Sequence, residues 1–141
     1  MAVVDLATEQ IARCVEIVLQ REGGHSDAWR SRLEKAPTAP DQVTLVALVE
    51  TQVVGYGSAR RLTPRTLKPD AAVPDGWYLT GVIVDRPSRR RGVASRLTEA
   101  RLRWLSGFDG SAGLAIVLAD AAAIFVDGRY TVQVRQQVPS E

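Results

Sequence analysis

The stretch that most constrains this 141-residue chain is a strand-like segment that runs through a polar turn and a glycine into an amphipathic helix. Trp77-Tyr78-Leu79-Thr80-Gly81-Val82-Ile83-Val84 is rich in β-branched and aromatic residues and reads as the strongest strand of the chain. Asp85-Arg86-Pro87-Ser88 breaks it, and Arg89-Arg90-Arg91-Gly92-Val93-Ala94-Ser95 follows. Val93, Leu97, Ala100 and Trp104 then recur at helical spacing. That predicts a helix of about fourteen residues burying this face, with Arg96, Arg101 and Arg103 off it.

Such a junction gathers main-chain N–H groups in front of a helix, where they have no intrahelical acceptor and where the helix dipole adds partial positive charge. A pyrophosphate fits that site. Gly92 permits close approach of the main chain, Ala94 leaves room across the first turn, and Arg89 and Arg91 can add charge-assisted hydrogen bonds. The pattern is neither the phosphate loop Gly-x4-Gly-Lys-Ser/Thr nor the dinucleotide fingerprint Gly-x-Gly-x-x-Gly.

Charge points to the same place. From Asp85 to Arg103 there are seven arginines against two acids, while the whole chain carries only +2, so the remainder is net acidic. A local positive patch calls for an anionic ligand. A nucleic-acid-reading helix would spread polar contacts along its length, whereas Val93, Leu97 and Trp104 are expected in a core. Nucleic acid is therefore not the expected partner. Nor is a membrane: the longest apolar stretch, Gly113 to Val126, is too short to span a bilayer and contains Asp120. With no basic segment ahead of an apolar run at the amino terminus, a cytoplasmic protein is expected. The single cysteine, Cys14, excludes an internal disulfide and a cysteine-rich metal site, and no metal is expected.

The rest of the chain supplies a layered α/β domain spanning 1–141. Val3 to Ala7 reads as a first strand. Ile11, Val15, Val18 and Leu19 mark a helix ending at Gly23-Gly24, and a second helix runs from Ser26 or Asp27 to Lys35, before Pro37 and Pro40. Val43–Val49 and Val53–Arg60 make a hairpin with Glu50 at its tip, and residues 63–76, holding Pro64, Pro69 and Pro74, form a loop. Gly113 to Ala119 is expected as a strand, Asp120 to Val126 as a short helix, and Arg129 to Arg135 as a last strand. The predicted order is β-α-α-β-β-β-α-β-α-β.

With Arg89-Arg90-Arg91-Gly92-Val93-Ala94 placed after Val82-Ile83-Val84-Asp85-Arg86-Pro87, the chain resembles the GNAT superfamily of N-acetyltransferases, whose signature is Arg/Gln-x-x-Gly-x-Gly/Ala after a hydrophobic strand. The likeness extends over nearly the whole chain, with residues 77–105 its distinctive part. It implies a central mixed sheet flanked by helices, acetyl-CoA as co-substrate and an amine acceptor attacking the thioester directly. It further implies a cofactor-binding strand of Val82, Ile83 and Val84, in which main-chain groups of Val82 and Val84 pair with the pantetheine arm, and that Arg89, Arg90, Arg91, Gly92, Val93, Ala94 and Ser95 hold the pyrophosphate. A homodimer is compatible with it, since the family often pairs through a sheet edge. A fainter similarity, in Gly76 to Val82 and Arg101 to Trp104, is to aminoglycoside acetyltransferase-like members.

The catalytic residues stay unassigned. Asp120 stands where the family commonly has Asn, Asp127 where its usual tyrosine acid falls, and no acid lies near Thr80. His25, Trp29, Trp77 and Tyr78 are candidates for the acceptor site, each set against a surface or packing role; Glu50 is expected to be solvated and Cys14 to be core. A degenerate acyl-CoA-binding domain without catalysis is the alternative, motivated by the missing tyrosine.

Overall fold

The computed structural model describes residues 1–63, 75–110, 113–118 and 121–138. Most of the expected loop, with Pro64, Pro69 and Pro74, lies outside the described residues, as do Ala119 and Asp120. The elements are β1 (Ala2–Asp5), α1 (Ile11–Glu22), α2 (Ser26–Lys35), β2 (Gln42–Val49), β3 (Gln52–Leu62), β4 (Gly76–Val84), α3 (Val93–Ser106), β5 (Gly113–Leu118), β6 (Ala122–Val126) and α4 (Thr131–Gln137). The six strands form one sheet in the order β1-β2-β3-β4-β5-β6. The layered α/β architecture is as expected, and all five pairings are antiparallel.

Alternation along β2 sorts the core into two layers. Val46 joins Leu6, Ile11, Cys14, Val15, Ile17, Val18, Leu33, Tyr56 and Ile83 under α1 and α2. Leu45 and Ala47 join Val54, Val93 and Leu97 under α3. Helix α1 stops at Gly23, whose φ of 65° and N–H donated to Leu19 O close its last turn. Gly55 is needed where sheet meets α3: a Cβ there would sit 2.8 Å from Ile83 O and 3.3 Å from Val93 Cγ1.

Beyond α3 the sequence reading fails twice. The expected helix from Asp120 to Val126 is a strand over Ala122–Val126, paired with β5 from Gly113↔Val126 to Val117↔Ala122. Five apolar residues are too few to nucleate a helix, whereas β5 offers a ready edge. The expected strand from Arg129 to Arg135 is a 3₁₀ turn, Gly128–Tyr130, leading into α4. Its alternation of Tyr130, Val132 and Val134 is overridden by tertiary contacts. Gln133 and Gln137, one helical turn apart, both donate to Asp109 Oδ1 at 2.6 Å, and Tyr130 stacks edge-on against buried Phe108.

Helix α3 holds the third correction. Arg101, expected on the solvent side, is 2 % exposed, and Trp104, expected in the core, is 47 % exposed. The buried arc runs through Val93, Leu97, Arg101 and Leu102. Trp104 packs edge-on against Trp77 of β4, with ring centroids 5.0 Å apart.

Candidate functional site

The site is built along the outer edge of β4. Asp85 N donates to Val54 O (2.9 Å), and Ile83 lies opposite Tyr56. In an antiparallel ladder the intervening residues turn their main-chain groups the other way, so those of Val82 and Val84 face away from β3. Strand β5 meets β4 at Gly76 and Trp77 alone, so the rest of this edge has no strand partner among the described residues. Gly81 falls out of the register between Gly57↔Val82 and Ser58↔Thr80 and has φ +40°, which makes it a bulge that bends the strand at mid-length.

Arginines from three elements reach the carbonyls of this strand. Arg101 Nη1 donates to Thr80 O (2.9 Å), Arg21 Nη1 to Val82 O (3.0 Å) and Arg89 Nε to Val84 O (3.2 Å). Arg101 also donates to Ser58 O (2.9 Å), Leu97 O (3.0 Å) and Thr98 Oγ1 (3.2 Å). It has no carboxylate partner among the described residues, and burial pushes its pKa below the usual arginine range. Gly57 makes room for it: a Cβ there would lie 3.1 Å from the guanidinium carbon.

At the end of β4 the chain turns sharply. Asp85 is buried and paired with Arg13, and its carbonyl accepts from Ser88 N (2.9 Å). Arg90 and Gly92 both take left-handed conformations, with φ of 63° and 76°. Gly92 precedes α3 with no side-chain cap, and its carbonyl accepts the first helical bond from Arg96 N (3.1 Å). The amides of Val93, Ala94 and Ser95 are thus the unsatisfied first-turn donors.

Two cavities flank this edge. One of about 240 Å³ is lined by Val84, Ser88, Arg89, Arg90, Gly92, Val93, Ala94 and Ser95. It gathers seven of the ten residues singled out from sequence. Val82 and Ile83 line the other, of about 280 Å³, under α1 and α2. Arg91 is exposed and lines neither. The larger cavity also takes Arg21 and Glu22 from α1, Trp29 and Arg32 from α2, Tyr56 and Arg60 from β3, and Thr80 and Gly81 from β4. Burial pushes the Tyr56 phenol well above its usual range, so it stays protonated at neutral pH.

Of the acceptor candidates, Trp29 alone lines that cavity. His25 is exposed ahead of α2, and Trp77 packs on Trp104. Tyr78 is half-buried on β4, and Glu50 is exposed in the β2–β3 turn with φ 54°. Cys14 is core: burial pushes its thiol up to about 12. Asp127 does not supply a general acid. The Arg129 side chain and N–H both donate to its Oδ1 (2.9 and 3.0 Å) and hold it below the usual carboxylate range, hence ionised. Asp120 lies outside the described residues. Sequence reasoning missed Arg21, Glu22, Arg32, Tyr56 and Arg60, because they converge from three elements with no common spacing.

Residues 8–126 match the model of the acetyltransferase (GNAT) family, and the chain belongs to that family. Its fold is similar to the apo aminoglycoside antibiotic 6'-N-acetyltransferase of Acinetobacter haemolyticus, with TM-score 0.61 and 15% identity over 74% of this chain and 70% of that one. An aminoglycoside N-acetyltransferase in complex with CoA gives TM-score 0.60 and 21% identity over 73% of this chain and 67% of that one. A second likeness is short. Aminopeptidase P1 of Lotus japonicus is 46% identical over 43 residues, 30% of this chain, and aminopeptidase P2 of Arabidopsis thaliana 51% over 41 residues, 29% of it. In each case the matched part is 6% of the peptidase's own length. Among the described residues no helix is long and apolar enough to cross a membrane, and no group of three or more His, Cys, Asp or Glu could hold a metal ion.

Proposed function

We propose that this chain is an N-acetyltransferase that moves the acetyl group of acetyl-CoA to a primary amine of a small molecule or peptide. The observation that carries the reading is the edge of β4, without a strand partner beyond Trp77 among the described residues, between two cavities, one at the head of α3 and one under α1 and α2. Pyrophosphate sits in the first, held by the Gly92–Ser95 main chain with Arg89 and Arg90. The pantetheine arm pairs with the N–H of Val82, whose carbonyl stays with Arg21, and with the outward groups of Val84 as an added strand, displacing the guanidinium of Arg89 from Val84 O so that it turns to phosphate. The thioester then lies beside the Gly81 bulge, and the amine arrives from the second cavity. A main-chain N–H of this strand stabilises the oxyanion.

Glu22, the one acid lining that cavity among the described residues, takes a proton from the ammonium, directly or through water. The free amine attacks the thioester carbonyl, the C–S bond breaks, and the thiolate takes up the second amine proton. The products are an amide and CoA thiol. Release of CoA thiol from acetyl-CoA in the presence of an amine panel tests the reading; binding of acetyl-CoA without release with any amine would overturn catalysis.

That outcome is what a second reading expects, in which the chain binds acyl-CoA without turnover. The element after β5 favours it: a strand and an ionised Asp127 stand where the family's helix and tyrosine acid are expected. Peptidase activity is not proposed, given how small a part of the peptidases is shared.

A further inference from the structure

We infer that the acceptor is a small amine carrying a carboxylate, of the size of an amino acid, and not a polycation. The inference rests on the proposed reading, in which the acceptor enters the cavity under α1 and α2. Arg21, Arg32 and Arg60 line that cavity against a single acid among the described residues, Glu22. Glu22 is ion-paired with Arg21, Nε to Oε1 at 3.2 Å, and Arg21 donates from Nη1 to Val82 O. Arg32 and Arg60 therefore keep their charge without an ion-pair partner among the described residues.

Arg32 is also held in place. Its guanidinium lies 5.3 Å from the Trp29 ring centroid, and Trp29 is itself fixed by donating Nε1–H to Gly23 O (3.2 Å). Stacking restrains the planar fork, so less entropy is lost when it takes a carboxylate through two parallel hydrogen bonds. The volume of about 280 Å³ lies at the small end of ligand cavities. Tyr56 and Trp29 leave an aromatic wall for a short side chain. An aminoglycoside brings several ammonium groups into this field and meets like charge from two unpaired arginines. A carboxylate anchored on Arg32 and Arg60 leaves the amine free to face Glu22 and the Gly81 bulge, where the thioester is expected.

The test separates this inference from the enzyme reading by measuring binding as well as turnover. N-acetyl-alanine, N-acetyl-glutamate and N-acetyl-lysine, each against its carboxamide, and a polycationic aminoglycoside are titrated calorimetrically into the wild-type chain with CoA present. The same series is run on Arg32→Gln/Arg60→Gln, with a thermal melt to confirm that the double variant folds; should it not, the single Arg32→Gln substitution replaces it. The expected result is at least tenfold tighter binding of carboxylates than of carboxamides, falling below threefold in the variant. Equal binding of acid and amide, tighter binding of the aminoglycoside, or no carboxylate binding would each overturn the inference. Turnover is read separately, as CoA thiol released from acetyl-CoA with alanine, glutamate, their carboxamides and the aminoglycoside. Carboxylate preference in binding with no release would overturn catalysis and leave the carboxylate site standing; release with amides and aminoglycoside without preference would do the reverse.

Discussion

Replacing Arg101 with methionine is expected to destabilise the domain, although it removes a buried charge with no acidic partner among the described residues. The guanidinium makes four hydrogen bonds, to Leu97 O, Ser58 O, Thr80 O and Thr98 Oγ1. Two of these partners are served elsewhere. Leu97 O can accept the helical bond from Arg101 N, and Thr98 Oγ1 donates to Ala94 O at 3.0 Å. Ser58 O and Thr80 O, paired across β3 and β4, each lose a charged donor. A hydrogen bond from a charged donor contributes about 1.5–3 kcal/mol. Relief from desolvating an unpaired charge offsets part of that, leaving a net loss of about 2–3 kcal/mol. For a chain of this length about 3 °C accompanies each kcal/mol, so calorimetry should show the melting point fall by roughly 6–9 °C. Gly57→Ala supplies the control, since its methyl would meet the guanidinium at 3.1–3.2 Å and Gly81 O at 3.1 Å. Its penalty should shrink by at least about 0.5 kcal/mol in the Arg101→Met background, as expected of groups in contact, without vanishing. A methionine variant as stable as wild type, or strictly additive penalties, would refute the account of how the bulge is held.

Gly92→Ala places a methyl in open space, with no atom within 4 Å, but in a left-handed conformation. It should cost about 1–2 kcal/mol of stability and weaken acetyl-CoA more than tenfold, and a calorimetric affinity equal to wild type would contradict the placement of pyrophosphate. Cys14 and Tyr56 are both held neutral in the fold, their pKa values raised chiefly by burial. The stability they contribute is therefore complete below their unfolded pKa values and lost as pH rises, from about pH 9 towards pH 12 for Cys14. Urea titrations across that range should show the decline, with Cys14→Ser removing its earlier part. Asp127→Asn should leave steady-state turnover within about twofold, because a carboxylate ionised at neutral pH has no proton to give; a hundredfold loss would restore it as an acid. Glu22→Gln should lower kcat at least about tenfold, and turnover equal to wild type would exclude Glu22 as the base.

What could be read in the sequence follows from how local each signal is. The β4–turn–α3 junction was legible because its strand, arginines and glycine are contiguous, and the structure puts seven of its residues around one cavity. Helices α1 and α2 and the β2–β3 hairpin were legible from periodicity and flanking breakers. Arg101 was misplaced because charge alone argued for solvent; its burial depends on carbonyls of Ser58 and Thr80 brought in by a bulge that no spacing reveals. Segments after α3 were misread because Ala122–Val126 is too short for periodicity to separate strand from helix. Thr131–Gln137 was misread because Asp109, far back in the chain, decides its conformation. The lining of the cavity under α1 and α2 is a product of tertiary convergence, and Trp29 was its one residue singled out beforehand apart from Thr80, Val82 and Ile83 on the strand itself.

The most direct test of the central claim is calorimetric titration of acetyl-CoA into the wild-type chain and Arg89→Ala. The account predicts micromolar affinity, weakened tenfold or more by the substitution, about 1.4 kcal/mol, with an unchanged melting point because Arg89 is exposed. No binding by the well-folded wild-type chain would contradict it and reduce the junction before α3 to scaffold.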